Sequence, residues 1–290
     1  MSEGLRISAA DGYALGATVF GAGGSGPVVI INTGAGVSQR FYAPFAAWLA
    51  ERGFTVITYD YRGVGESRPF RLRGFEGRLR DWGLADFEGV LQFVTRVYPG
   101  RAVLVVGHSV GGQLLGFPES NGVVRGAVTV GSQSGYWGHW PMPRKVAMGA
   151  LWHVMPAIAH AVGFLPGRLG LGQDLPLGVA VEWARWCRQR GYFTEDGVAM
   201  SGFERLRAPV LSFSFSDDPY APRSAVDWLH RLFRSASVER RHIEPGSVGL
   251  APVRHFGFFR PEFRGALWPQ VVDFFQRVAL PGQPIGSAPA

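Results

Sequence analysis

Residues 107–111 read Gly107-His108-Ser109-Val110-Gly111 and close an apolar run, Ala102–Val106. A buried strand that ends in a serine between two glycines describes a sharp strand-to-helix turn, with Gly112–Leu115 free to begin the helix. Such a turn lifts the hydroxyl clear of a sheet, where a base can reach it. The flanking glycines suit a chain that doubles back with no room for a Cβ, and they supply positive φ where the backbone needs it. The chemistry is nucleophilic catalysis, but a serine hydroxyl is a poor nucleophile until a base takes its proton. That base is usually a histidine whose tautomer a carboxylate fixes.

The carboxylate should sit at the end of a later strand. Residues 127–140 contain no Asp or Glu, whereas the run Val210–Phe215 leads into Ser216-Asp217-Asp218-Pro219. Two adjacent side chains cannot point the same way, so one aspartate serves. Asp218 is favoured and Asp217 is the second choice; the plain alternative for either is a turn or cap residue before Pro219. Seven histidines compete for the base. His255 lies in a loop, Val253–Phe259, between the last strand and a closing helix. His108 adjoins the serine but should point away from it and hydrogen-bond or pack beneath the turn. His139, His153 and His160 fall in an aromatic insertion, and His230 and His242 in helix and strand patterns. No histidine pair forms an HExxH motif, so no metal site and no cofactor is expected. The oxyanion of acyl transfer needs two backbone N–H donors. Val110, after the nucleophile, supplies one. Ala35 in Thr33–Val37 supplies the other, with Gly36 as fallback.

These groups must be held by alternating strands and helices. Leu5–Ser8 and Ala14–Phe20 read as a hairpin about Asp11-Gly12. Strands follow at Val28–Asn32, Phe54–Asp60, Ala102–Val106, Gly126–Val130, Val210–Phe215 and Val238–Ile243. Helices are expected over Phe41–Arg52 (stopped by Gly53), Leu84–Tyr98 and Pro261–Val278. The alternation predicts an α/β protein with a mostly parallel sheet covered on both faces. Between Gln133 and Arg207 the pattern breaks, and five of the nine tryptophans fall there: Trp137, Trp140, Trp152, Trp183 and Trp186. The domain reading is a core of residues 1–132 and 208–280, a helical cap of 133–207 and a flexible tail of 281–290. Gly34, Gly36, Tyr136, Trp137 and Trp140 are the candidate substrate-binding residues.

Composition bounds the rest. The 290 residues are 47% hydrophobic and 18% charged, as in a globular chain. The formal net charge is +7, carried almost wholly by arginine, since Lys145 is the only lysine. The arginines are scattered without a nucleic-acid motif, so no nucleic-acid partner is expected. The densest group, Arg68, Arg71, Arg73, Arg78 and Arg80, reads as a solvated loop or, more sharply, as a rim for anionic substrates. Cys187 is the only cysteine, which excludes an intrachain disulfide. Residues 146–167 lack Asp, Glu, Lys and Arg, but they hold Pro156 and two histidines and interrupt a sheet, so a membrane span is rejected. Transient lipid contact by an apolar lid stays open. Without a basic, apolar leader the default location is cytoplasmic.

Together the elbow, Tyr59–Ser67 with its Arg62-Gly63-Val64-Gly65-Glu66-Ser67 run, Asp218-Pro219 and His255–Phe259 resemble the α/β-hydrolase superfamily, nearest to serine hydrolases of the lysophospholipase and monoacylglycerol lipase group. The resemblance spans roughly residues 5 to 278, the insertion least. It implies Ser109 as nucleophile, Asp218 as acid and His255 as base. Two positions depart from the pattern: Thr33 stands where a histidine usually precedes the oxyanion loop, and Phe215 where a glycine usually precedes the acid by three residues. The expected activity is hydrolysis of a carboxylic ester of a hydrophobic small molecule, with thioesters and amides open to the same machinery. An acyltransferase, or a ligand-binding member without catalysis, is the alternative.

Overall fold

The computed structural model describes residues 2–170, 172–198 and 200–279; the tail assigned to 281–290 lies outside them. Eight strands form one sheet in the order β1-β2-β4-β3-β5-β6-β9-β10. They are β1 (Ser2–Ser8), β2 (Ala14–Phe20), β3 (Val28–Asn32), β4 (Thr55–Tyr59), β5 (Val103–His108), β6 (Val124–Val130), β9 (Val210–Phe215) and β10 (Val238–Ile243); β7 (Phe164–Leu165) and β8 (Leu175–Pro176) pair separately. β1 and β2 run antiparallel to their neighbours, and β4, β3, β5, β6, β9 and β10 are mutually parallel.

β3, β4, β5 and β9 are buried along their whole length, which is why they read as continuous apolar runs. The period-two alternation still sorts their side chains. Ile30, Ile57, Val105 and Ala127 face one layer with Val90, Leu91 and Leu229. Val29, Val56, Leu104, Val106 and Phe213 face the other with Phe45, Trp268 and Phe275. β3 lies between β4 and β5, so the chain leaves it toward one edge and later returns toward the other. The loops after β3 and β5 therefore part at the carboxyl ends of the strands, which opens a crevice there.

Two helices differ from expectation. The helix through Leu84–Tyr98 contains a wide turn over Trp82–Phe87 before the regular stretch Glu88–Val97. The wider turn shifts the phase, so Leu84 faces solvent while Phe87, Leu91 and Val94 are buried. The turn also positions Asp86, whose carboxylate accepts from Arg62 N and Arg62 Nε at 2.9 and 2.7 Å. Burial pushes that carboxyl up, to about 7, against the pull of Arg62. The closing helix starts at Trp268 rather than Pro261, because Pro261–Phe263 makes a short turn of its own.

Between β6 and β9 lie helices Arg144–Val162, Leu177–Arg188 and Ser201–Arg205. The arginine cluster lies in an exposed loop, as one of the two readings had it, and three of its members also bind this segment. Arg80 pairs with buried Glu182 at 2.6 Å and with Asp196 at 2.7 Å, Arg68 pairs with Asp174, and Arg73 donates to Val162 O. No helix among the described residues is long and apolar enough to cross a membrane.

His230 is buried, with Nδ1–H donating to Val226 O and Nε2 accepting from Thr129 Oγ1. Burial pushes its pKa down to about 4. The unfolded chain takes up a proton near 6.5, where the folded chain does not, so stability is full above 6.5 and declines as the pH falls toward 4. The slope for this group approaches ~1.4 kcal/mol per pH unit. Asp86, raised to about 7, works in the opposite direction over the same range, so the test is the difference: going from pH 7 to pH 5, the urea midpoint of the parent protein should drop relative to that of His230→Asn.

Candidate active site

Ser109 follows β5 with φ 53° and ψ −119°, a strained conformation for a residue with a side chain. Its N–H donates to Val130 O at 2.9 Å, which ties the elbow to β6. The flanking glycines answer to space and not to φ. A Cβ on Gly107 would lie 2.6 Å from Gly112 Cα, and one on Gly111 would lie 2.3 Å from Asn32 O. The positive φ belongs to the serine itself. Val110 opens the following helix two residues earlier than expected, and its N–H falls among the first-turn donors that such a helix leaves without an internal acceptor.

Asp218 and His255 meet: His255 Nδ1 lies 2.7 Å from Asp218 Oδ2, with both residues buried. Asp218 Oδ1 accepts from Tyr220 N at 2.8 Å and Ala221 N at 3.1 Å, so the carboxylate has one fixed orientation. Nδ1–H directed at Asp218 leaves Nε2 as the ring's acceptor. Asp217 turns the other way, and both its oxygens lie 3.1 Å from Arg254 N, which holds the loop that carries the histidine. Gly131, φ +57°, passes directly under the pair. A Cβ there would stand 3.2 Å from both Asp218 Oδ2 and His255 Nδ1. Ser109 and His255 line the same cavity. Among the described residues no hydrogen bond joins them, an arrangement common before substrate is bound.

His108 points beneath the turn. Gly34 N–H donates to Tyr42 Oη (2.8 Å), Tyr42 Oη–H donates to His108 Nδ1 (2.7 Å), and His108 Nε2–H donates to the carbonyl of His255 (2.9 Å). The direction is fixed because a carbonyl only accepts. Burial, with His255 nearby, holds His108 well below its ordinary pKa, and burial holds the Tyr42 phenol well above its own. Three segments are thereby joined: the loop after β3, the elbow and the histidine loop. Gly34's N–H is used in this relay, whereas Ala35 N–H has no acceptor among the described residues.

The cavity opens to solvent. Its walls include Ala35, Trp140, Met148, Leu151, Trp152 and Trp183. Of the candidate substrate-binding residues, Gly34 and Trp140 line it; Gly36, Tyr136 and Trp137 do not. Gly36 turns outward, with φ +68° and its carbonyl taken by Gln173 N at 2.7 Å. Trp137 packs on the neighbouring helix at Gly149 and beside Lys145, and Tyr136 packs against Trp137 and His139. The tryptophan wall comes instead from Trp152 and Trp183, 5.1 Å apart. Met148, Leu151 and Trp152 are spaced i, i+3, i+4 on one helix face, a signal the sequence did carry. Tyr42, Gly131 and Gln133 had no such signal. Cys187 is fully buried against Gly135 and Tyr192, and burial raises its thiol pKa, so it stays protonated. Among the described residues no cluster of His, Cys, Asp and Glu is arranged to hold a metal.

A family model described as serine aminopeptidase, S33, matches residues 25–165. Among solved structures, the esterase Pf2001 from Pyrococcus furiosus is 15% identical over 96% of this chain and 93% of its own, with a TM-score of 0.61. The esterase EaEST from Exiguobacterium antarcticum is 19% identical over 94% and 100%, with a TM-score of 0.62. XC6422 from Xanthomonas campestris, described as an α/β serine hydrolase without a lid, is 16% identical over 98% and 97%, with a TM-score of 0.52.

Proposed function

We propose that this chain, a protein of the α/β-hydrolase fold, is a serine hydrolase that cleaves carboxylic esters of uncharged, hydrophobic substrates through an acyl-enzyme on Ser109. The observation that carries the reading is the Asp218–His255 pair, whose histidine lines one apolar cavity with a serine on a strained elbow. His255 Nε2 takes the Ser109 proton as Oγ bonds to the ester carbonyl carbon. Val110 and Ala35 N–H groups stabilise the oxyanion. The C–O bond breaks, and the imidazolium returns its proton to the departing alcohol. Water then repeats the attack with the same proton transfers and frees the acid and Ser109. Residues 133–207 act as a cap that supplies the apolar walls.

The cavity's chemistry bears on the substrate. Among its described lining residues there is no Asp, Glu, Lys or Arg. A free α-ammonium finds no carboxylate there, so an ester is preferred over an amino-terminal peptide. A carboxylate or phosphate substituent likewise finds no cation. Reaction with a fluorophosphonate probe tests the catalytic reading. The intact protein should label stoichiometrically and lose p-nitrophenyl ester hydrolysis in step, and Ser109→Ala should do neither. An unlabelled but folded parent protein would overturn the assignment.

A further inference from the structure

Beyond its first two residues, the helix Arg144–Val162 carries no charged side chain, even on the side it turns to solvent. Val146, Leu151 and Val154 are 59%, 40% and 53% exposed, and Ala147, Ala150, Ala157 and Ala161 lie exposed beside them. At 3.6 residues per turn these positions share one side, opposite the buried Trp152, Met155 and Ala159. His153 and His160 are also exposed, and each donates Nδ1–H to the carbonyl four residues back, Gly149 O at 2.8 Å and Pro156 O at 2.7 Å. A surface helix ordinarily turns polar residues outward. One that is apolar on both sides has an outer face made for contact.

The charges at the ends of the helix identify the partner. Arg144 and Lys145 form its start, and Arg73 donates to Val162 O at its end, at 2.6 Å. Residues 141–173 hold no Asp or Glu. The next acid, Asp174, is already taken by Arg68 at 2.9 Å and by Gly167 N at 2.8 Å. A second copy placed about a two-fold axis would set cationic end against cationic end in either orientation. An anionic lipid surface instead satisfies the apolar side and both ends together. We propose that this face docks on an anionic lipid surface, with the helix lying in the interface plane. Leu151 belongs both to the exposed side and to the cavity wall, and the exposed Tyr220 and Phe256 also line the cavity. Docking therefore brings the cavity mouth to the lipid. On the ester-hydrolase reading, on which this last step alone rests, the substrate is a hydrophobic ester drawn from the bilayer.

Cosedimentation of the full chain with vesicles reads docking without turnover. Vesicles of phosphatidylcholine alone are compared with an equal mixture of phosphatidylcholine and phosphatidylglycerol. The mixed vesicles should bind the parent protein about tenfold more strongly or better. Val146→Gln combined with Val154→Gln removes apolar surface outside the cavity and adds no charge. It should weaken that binding by about fivefold or more, while hydrolysis of dissolved p-nitrophenyl acetate stays unchanged and shows that the variant is folded. Arg144→Gln combined with Lys145→Gln should narrow the preference for mixed vesicles. Absence of binding, equal binding to both vesicles, or undiminished binding by the valine variant would overturn the proposal. So would a parent dimer that the valine variant splits in sedimentation velocity without any vesicle binding, which would assign the face to a second copy. Vesicle binding by a parent protein that no fluorophosphonate labels would sink the catalytic reading and leave the docking face standing. Labelling without vesicle binding would do the reverse.

Discussion

Asp218→Asn is expected to lower kcat by about 10⁴-fold with little change in KM or in the thermal midpoint. The size of the loss follows from the hydrogen bonds around the carboxylate. Oδ1 accepts from Tyr220 N and Ala221 N. An asparagine must keep its oxygen at that position, because two backbone donors face it. Its NH₂ then occupies the place of Oδ2, 2.7 Å from His255 Nδ1. Nδ1 becomes an acceptor, the ring proton moves to Nε2, and the nitrogen that should deprotonate Ser109 is blocked. The geometry survives and the base does not. Asp217→Asn is the control. Its oxygens hold only Arg254 N, and an amide oxygen replaces that contact, so kcat should fall less than tenfold. Steady-state kinetics on a p-nitrophenyl ester compare the two. Equal losses would refute the division of roles between the aspartates.

Gly131→Ala should cost about 100-fold in kcat/KM, a larger effect than any other alanine substitution outside the reacting groups. The methyl group would press on the Asp218–His255 contact from below, 3.2 Å from each of the two bonded atoms. The pair is also held from its other attachments. Asp218 is held by two amides, and the His255 carbonyl by His108. The strain therefore goes into the pair, and misplacing a catalytic group by a fraction of an ångström is costly. Positive φ adds a further ~1–2 kcal/mol of instability. Kinetics and urea unfolding of the one variant separate these effects. Destabilisation with unchanged kcat/KM would show that the pair moves aside freely.

What the chain discloses by itself depends on how local the cause is. The elbow is a contiguous pattern, and the strand before Ser109 confirms its own context. Asp218 and His255 are legible because each follows a strand or precedes a helix at the carboxyl edge. The choice between Asp217 and Asp218 needed the turn's direction, which Tyr220 N and Ala221 N set. Gly131 looks like any glycine after a strand; its meaning arises only when residues 218 and 255 come over it. Tyr42 is a buried aromatic in a helical pattern until its hydroxyl reaches His108, sixty-six positions away. Trp137 and Trp152 are the same residue type in the same insertion. The direction of a helix face decides which of them meets the cavity, and the i, i+3, i+4 spacing of Met148, Leu151 and Trp152 carried that direction for Trp152 alone. The wide turn at Trp82–Phe87 had no visible signal in the sequence; its polar contacts, Asp86 to Arg62 and Trp82 Nε1–H to Arg62 O, are to another segment.

The relay from Gly34 through Tyr42 and His108 to the backbone of His255 also settles when the site is built. Its bonds are made within the folded chain and need no ligand to close them. The conformational entropy of bringing three distant loops into register is therefore spent during folding, and an arriving ligand spends its binding energy on its own placement instead. Substrates that offer only a few apolar contacts are the ones that gain most from a receptor already assembled.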